Sequence, residues 1–174
     1  ISSVVILEKD KIERDVFTSR ARNMARKARK FNVIPKFDAD IADFWKIMEL
    51  TFNKHNGKPT HNHKEWRYLC ERFPKRIYND VAYIDNIPVA GIGHIMINDF
   101  SDSSFYLCSD PNFYETQALT LLIYETILRS KSNGCRRFDF GTSSVNMIAR
   151  SNIFSFKESF GAIGSFRHTI KLVL

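Results

Sequence analysis

The sequence predicts an α+β fold: a mixed central sheet, mostly antiparallel, flanked by helices. Three observations predict it. Helix-period and strand-period segments follow one another as a helix pair, an antiparallel meander, a long helix, a strand, a helix and a last strand. The meander carries several strands in succession, which excludes a strictly alternating parallel fold. No internal repeat, low-complexity tract or linker interrupts the 174 residues, so residues 1–174 are expected to form one domain.

The elements follow in order. Ser3 to Glu8 is short and β-rich and reads as a strand. From Lys11 to Lys30, Ile12, Val16, Phe17, Met24 and Ala28 recur at helical spacing, with Arg and Lys on the opposite face. "NVIPKF" ends that helix, because Pro35 cannot continue it, and forms a short strand. Asp40 is a suitable N-cap for a helix reaching about Asn53, with Phe44, Trp45, Met48 and Phe52 on one side. "NKHNGKPTHNH" is a polar loop, and a helix from about His63 to Phe73 follows it.

"RIYNDVAYID" and "PVAGIGHIMIND" read as a hairpin joined by an Asn-Ile connection, and "SSFYLCSD" as a third strand. Pro111 stops that strand. A long helix runs from about Phe113 to Ser132, with Gly134 as its stop. "RRFDFG" is a strand, a loop and a helix from about Asn146 to Ser159 come next, and "SFRHTIKLVL" alternates as a closing strand.

Composition narrows the function classes. No apolar run approaches the ~20 residues of a membrane helix. "ISSVVILEKD" lacks the basic region and cleavage site of a signal peptide. Cys70, Cys108 and Cys135 are odd in number and widely spaced, which argues against a disulfide framework or zinc ribbon and fits a cytoplasmic protein. The net charge is +7, and Lys11 to Lys36 alone holds nine Lys/Arg against Glu13 and Asp15. A patch this concentrated points to an anionic partner.

Four stretches resemble the FemA/FemB-like branch of the GNAT acyltransferase fold: "SRARNMARKARKFNV", "DNIPVAGIGHIM", "GCRRFDFGTSS" and "FSFKESFGAIG". Their order spans nearly the whole chain. The resemblance implies a GNAT-like sheet and transfer of an acyl or aminoacyl group to an amine. Members of the branch build peptidoglycan cross-bridges from aminoacyl-tRNA, so a cell-wall acceptor is one expectation. Larger members carry two such domains, and this chain is expected to match the second. The donor is expected to be acyl-CoA or aminoacyl-tRNA, with tRNA or a nucleotide-linked substrate as partner. No resident cofactor or metal is implied.

Amide formation needs a deprotonated amine, donors for the oxyanion and a proton for the leaving group. By resemblance, Lys157 in the Phe-Lys motif supports the donor or the developing negative charge; otherwise it is a solvated helix lysine. Asp139 faces away from Phe138 and Phe140. It is either a base or acceptor-orienting group, or a carboxylate paired with Arg136, Arg167 or a helix N-terminus.

Gly141, Thr142, Ser143 and Ser144 form either an anion cradle or a plain turn. Arg20, Arg22 and Arg26, with Lys27, Arg29 and Lys30, make a basic face that would hold tRNA or a nucleotide-linked substrate, or is solvated. His55, His61 and His63 lie in one loop with no acidic or Cys partner, so acceptor contact is expected of them rather than metal binding.

Two departures from acetyl-CoA-using GNAT enzymes stand out. No glycine lies between Gly93 and Gly134, where a pyrophosphate loop belongs, and no Tyr follows Tyr124 to protonate a thiolate. A non-catalytic anion- or RNA-binding module on the same fold is the alternative reading.

Overall fold

A computed structural model describes residues 1–54, 57–145, 148–168, 170 and 172, with the side chain of Val145 left aside. The strands are β1 (Ser2–Ile6), β2 (Ile34–Lys36), β3 (Ile77–Ile84), β4 (Ile87–Ile95), β5 (Ser101–Ser109), β6 (Arg137–Thr142), β7 (Ser144–Val145), β8 (Ile148–Ala149) and β9 (Ile163–Ser165). The helices are α1 (Ile12–Asp15), α2 (Ser19–Lys30), α3 (Ile41–Lys54), α4 (His63–Arg72), α5 (Ala118–Ser132) and α6 (Ser151–Glu158).

Seven strands form one sheet in the order β2-β3-β4-β5-β6-β1-β9, and β7 and β8 make a small hairpin. The fold is therefore α+β with a mixed, mostly antiparallel sheet. Among the described residues the only parallel pairing is β5 with β6, and it covers just Ser101–Ser103 against Arg137–Asp139. Beyond it the two strands part, so their carboxyl ends leave an opening in the sheet. β1 lies between β6 and β9, antiparallel to both.

The strands alternate faces and thereby divide the core in two. On one face, Ala82, Ala90, Ile92, Phe138 and Phe140 pack with α2 and α5. α5 is buried on nearly every side, from Ala118 through Leu122, Tyr124 and Ile127 to Ser130, as befits a helix inside the fold. On the other face, Phe44, Trp45, Met48 and Trp66 of α3 and α4 pack on Val81, Tyr83, Tyr106 and Cys108. Gly91 and Gly93 permit this: a Cβ on Gly93 would lie 2.9 Å from both the Phe44 and Trp66 rings.

Five expected boundaries move, each for a local reason. The helix expected over Lys11 to Lys30 is two helices, because the Thr18 hydroxyl caps α2 by accepting the Ala21 N–H at 3.3 Å. The hairpin turn is Asp85-Asn86 rather than Asn-Ile, since both residues take the left-handed conformation (φ 48° and 63°) that a two-residue hairpin favours. The long helix starts at Ala118, after a 3₁₀ segment (Pro111–Thr116) that left-handed Gln117 ends.

The helix expected from Asn146 begins at Ser151, because β7 and β8 take residues on either side of Asn146, itself outside the described residues. The closing strand is Ile163–Ser165, where β1 offers partners from Ser2 to Val4; Phe166 to His168 are not in a strand. The alternation over Phe166, Ile170 and Leu172 leaves those side chains exposed. No described helix is long and apolar enough to cross a membrane.

Candidate active site at the carboxyl ends of two parallel strands

Parallel strands that part at their carboxyl ends create a crevice for a ligand. Here β5 and β6 run in the same direction and part after Ser103 and Asp139.

On the β6 side stands Lys157. α6 carries it inward, where it is 5 % exposed. Its ammonium donates to the carbonyls of Thr142 at 2.7 Å and Gly141 at 3.3 Å. Burial, aided by Arg167, lowers its pKa to about 8 against the opposing pull of Asp139. It is not a solvated helix lysine. Gly141 makes the arrangement possible: its φ of +72° turns the end of β6.

Asp139 lies on the opposite face of β6 from Phe138 and Phe140, as strand alternation requires. One oxygen accepts the Gly141 N–H at 2.7 Å, and the other meets Arg167 at 3.1 Å. Asp139 lines a cleft of about 400 Å³ with Ser2, Val4, Ile163 and Arg167. The cleft sits on the part of the sheet that α3 and α4 do not cover.

The stretch from Gly141 to Ser144 does not offer a full cradle of free amides. The Gly141 N–H goes to Asp139, and the Ser143 N–H goes to the Ile1 carbonyl at 2.9 Å. The Ser143 hydroxyl is buried 2.7 Å from that of Ser3. Thr142 presents its carbonyl to Lys157, and Ser144 begins the β7–β8 hairpin. Two of the four amides are thus engaged within the protein, and the Gly141 and Thr142 carbonyls hold the Lys157 ammonium.

On the β5 side, the loop between α3 and α4 brings His61 and His63 to a cavity of about 450 Å³, lined also by Trp45, Met48, Glu49 and Phe52. His61 bonds Tyr106 of β5, and His63 stacks on Trp45 with ring centroids 5.1 Å apart. A capping box between Asn62 and Glu65 fixes the loop's exit into α4. His55 lies outside the described residues.

The basic face divides. Arg20, Arg26, Lys27 and Lys30 are exposed on α2, although Arg26 also bonds Asn23. Arg22 donates to the carbonyls of Glu13 and Phe17, capping α1, and Arg29 pairs with Glu125 of α5.

One polar cluster escaped the sequence reading. His94 of β4 is fully buried between Asp102 (Nδ1 to Oδ1, 3.0 Å) and Asp80 (Nε2 to Oδ2, 3.2 Å). The first contact is a hydrogen bond. The second is an ion-pair contact without hydrogen-bond alignment. Thr126, Arg129 and Ser130 of α5 and Tyr78 of β3 bond the two carboxylates. Burial alone would push the imidazole down; Asp102 and Asp80 outweigh it and raise its pKa to about 9. The available signal was a histidine inside the apolar run "VAGIGHIMI". This cluster ties α5 to three strands and lines neither cavity described above.

Over residues 17–147 the sequence matches the family described as acetyltransferase (GNAT) domain. The chain belongs to this family. The GNAT fold here is similar to that of FemX, with a TM-score of 0.76 and 10% identity, covering 93% of this chain and 58% of that one. It is also similar to the C-terminal domain of a putative lysylphosphatidylglycerol synthetase from Agrobacterium fabrum (TM-score 0.70, 10% identity, covering 91% and 55%). A third likeness is to L-PGS from Bacillus licheniformis (TM-score 0.65, 13% identity, covering 93% and 56%).

These likenesses concern the fold and accord with the FemA/FemB-like branch of GNAT proteins. This GNAT domain spans between 55% and 58% of the length of those three chains. No curated protein matches it. In place of a glycine-rich loop before α5, it has the 3₁₀ segment and Gln117.

Proposed function

We propose that this GNAT domain joins an activated acyl or aminoacyl group to an amine, with Lys157 stabilising the negative charge of the tetrahedral intermediate. The observation that carries the reading is the buried Lys157 ammonium at the end of β6, where β5 and β6 part. An ammonium has three N–H groups. Two are directed at carbonyls, which leaves one for an oxyanion among the described residues. A charged donor in a dry site acts strongly on charge that develops during reaction.

In the reaction, the amine nitrogen attacks the acyl carbonyl carbon and a C–N bond forms. The oxyanion collapses and expels a ribose hydroxyl or a thiol. The proton lost by the amine ends on that leaving group. Asp139, with one oxygen on Gly141 and the other on Arg167, serves to orient its neighbours rather than to remove the proton. The cavity beside His61 and His63 takes the acceptor.

The donor favoured is aminoacyl-tRNA over acyl-CoA. α2 exposes Arg20, Arg26, Lys27 and Lys30 to a polyanion, and the segment before α5 lacks the glycines that let backbone amides close on a pyrophosphate. The test is to mix the protein with aminoacyl-tRNA and acyl-CoA donors and a panel of amines, then seek a new amide by mass spectrometry. Amide formation from aminoacyl-tRNA is expected, and Lys157→Ala should lower it about 10²–10³-fold. No amide across the panel, or an undiminished Lys157→Ala rate, rejects the reading.

A further inference from the structure

We infer that His61 is a hydrogen-bond donor locked in place by Tyr106, and that it recognises a carbonyl oxygen beside the acceptor's amine. The acceptor class is then an α-amino amide or peptide with an apolar side chain. Calling this ligand the acceptor rests on the acyl-transfer reading; the recognition itself does not require turnover.

The Tyr106 hydroxyl oxygen accepts the backbone N–H of His61 at 3.1 Å. The same oxygen lies 2.9 Å from His61 Nδ1. A phenol has one proton to give. Among the described residues its only acceptor in reach is Nδ1. Nδ1 therefore accepts, and the proton of the neutral ring sits on Nε2. A ring held as the Nε2–H form has no lone pair there to deprotonate an amine, but it can donate to an oxygen. The rings of Trp66, Phe105 and Tyr106, with centroids 5.5, 5.6 and 6.1 Å away, confine the imidazole. A donor fixed before the ligand arrives needs little reordering to bind it.

The cavity supplies the rest of the specificity. His63 also lines it, and its buried Nε2 has no hydrogen-bond partner among the described residues. Trp45, Met48 and Phe52 offer an apolar wall, and Glu49 offers a carboxylate at the exposed rim for an ammonium group. An amine, a neighbouring carbonyl and an apolar side chain match these three surfaces.

Leucinamide and isoamylamine test the match, because they share the amine and the branched side chain and differ in the carbonyl group. Long-range proton–nitrogen NMR of the labelled protein at neutral pH should show His61 as the Nε2–H form. Leucinamide should shift the His61 Nε2 signal and bind about tenfold or more tighter than isoamylamine. Tyr106→Phe keeps the ring but loses the hydroxyl. It should release the tautomer and reduce leucinamide binding to the level of isoamylamine.

An Nδ1–H ring, equal binding of the two amines, binding of neither, or a Tyr106→Phe protein that binds as wild type overturns the inference. A protein that discriminates the two amines yet forms no amide keeps this inference and loses the acyl-transfer reading. One that forms amides without discriminating does the reverse.

Discussion

Lys157 is a lysine whose hydrogen-bond partners are carbonyls rather than carboxylates. Its pKa of about 8 sets a dated charge: full below that pH, fading above it. The acceptor's α-amino group, with an ordinary pKa of about 8, loses its proton over the same range. Below about pH 8 the growing share of free amine dominates; above it the amine is already free and the fading Lys157 charge dominates. The logarithm of turnover should therefore rise with pH up to about 8 and then fall. Lys157→Arg, which keeps its charge, should level off above that point instead. Rates measured from neutral to alkaline pH decide it. The motif "FSFKESFGA" made Lys157 visible in the sequence by resemblance. Its burial was not visible, because nothing in an eight-residue helix with a weak apolar stripe says which residue turns inward.

At the scale of elements, the His94 cluster joins α5 to β3, β4 and β5. Its contribution to stability has a definite sign. His94 has a raised pKa, about 9 folded against 6.5 unfolded. The folded state thus holds the extra proton between these values. The stabilisation is fully present below pH 6.5 and is lost as pH rises through about 9. Urea unfolding across that window should show the decline, and His94→Gln should flatten it.

The same substitution should destabilise the protein by about 3 kcal/mol even at neutral pH, because it leaves Asp80 and Asp102 buried without their shared cation. Strand periodicity located β4 but said nothing of a polar layer inside it. Two aspartates and a histidine at Asp80, His94 and Asp102 become one cluster only through strand register. Similarly, hydrophobic spacing ran straight through Thr18, and only the hydroxyl cap showed that α1 and α2 are separate. Patterns of burial predict elements well. Caps and turns, which depend on single side chains, decide where the elements end.

For the whole molecule, the sequence order predicted the α+β class and the flanking helices, and the motif order predicted a GNAT sheet. What it did not reveal is the placement of β1 between β6 and β9, since pairing partners so distant leave no local signal. Charge is also a property of the whole surface. The exposed Arg20, Arg26, Lys27 and Lys30 should give the protein an affinity for tRNA that falls steeply with added salt. Replacing all four by Ala should flatten that salt dependence, by about one unit of slope per lost phosphate contact. Fluorescence anisotropy with labelled tRNA measures both.

β1 also determines when the fold can close. It is made before the other strands of this sheet, yet its neighbours come more than a hundred residues later; the buried Ser3–Ser143 contact spans 140 residues. During synthesis β1 waits with both edges unpaired while the β2–β5 part of the sheet can already assemble. Long-range pairing of this kind is slow, and an unpaired apolar strand invites wrong partners. The half of the sheet that holds Asp139, and against which α6 brings Lys157, is therefore completed only after β6 and β9 have emerged to enclose the strand that preceded them.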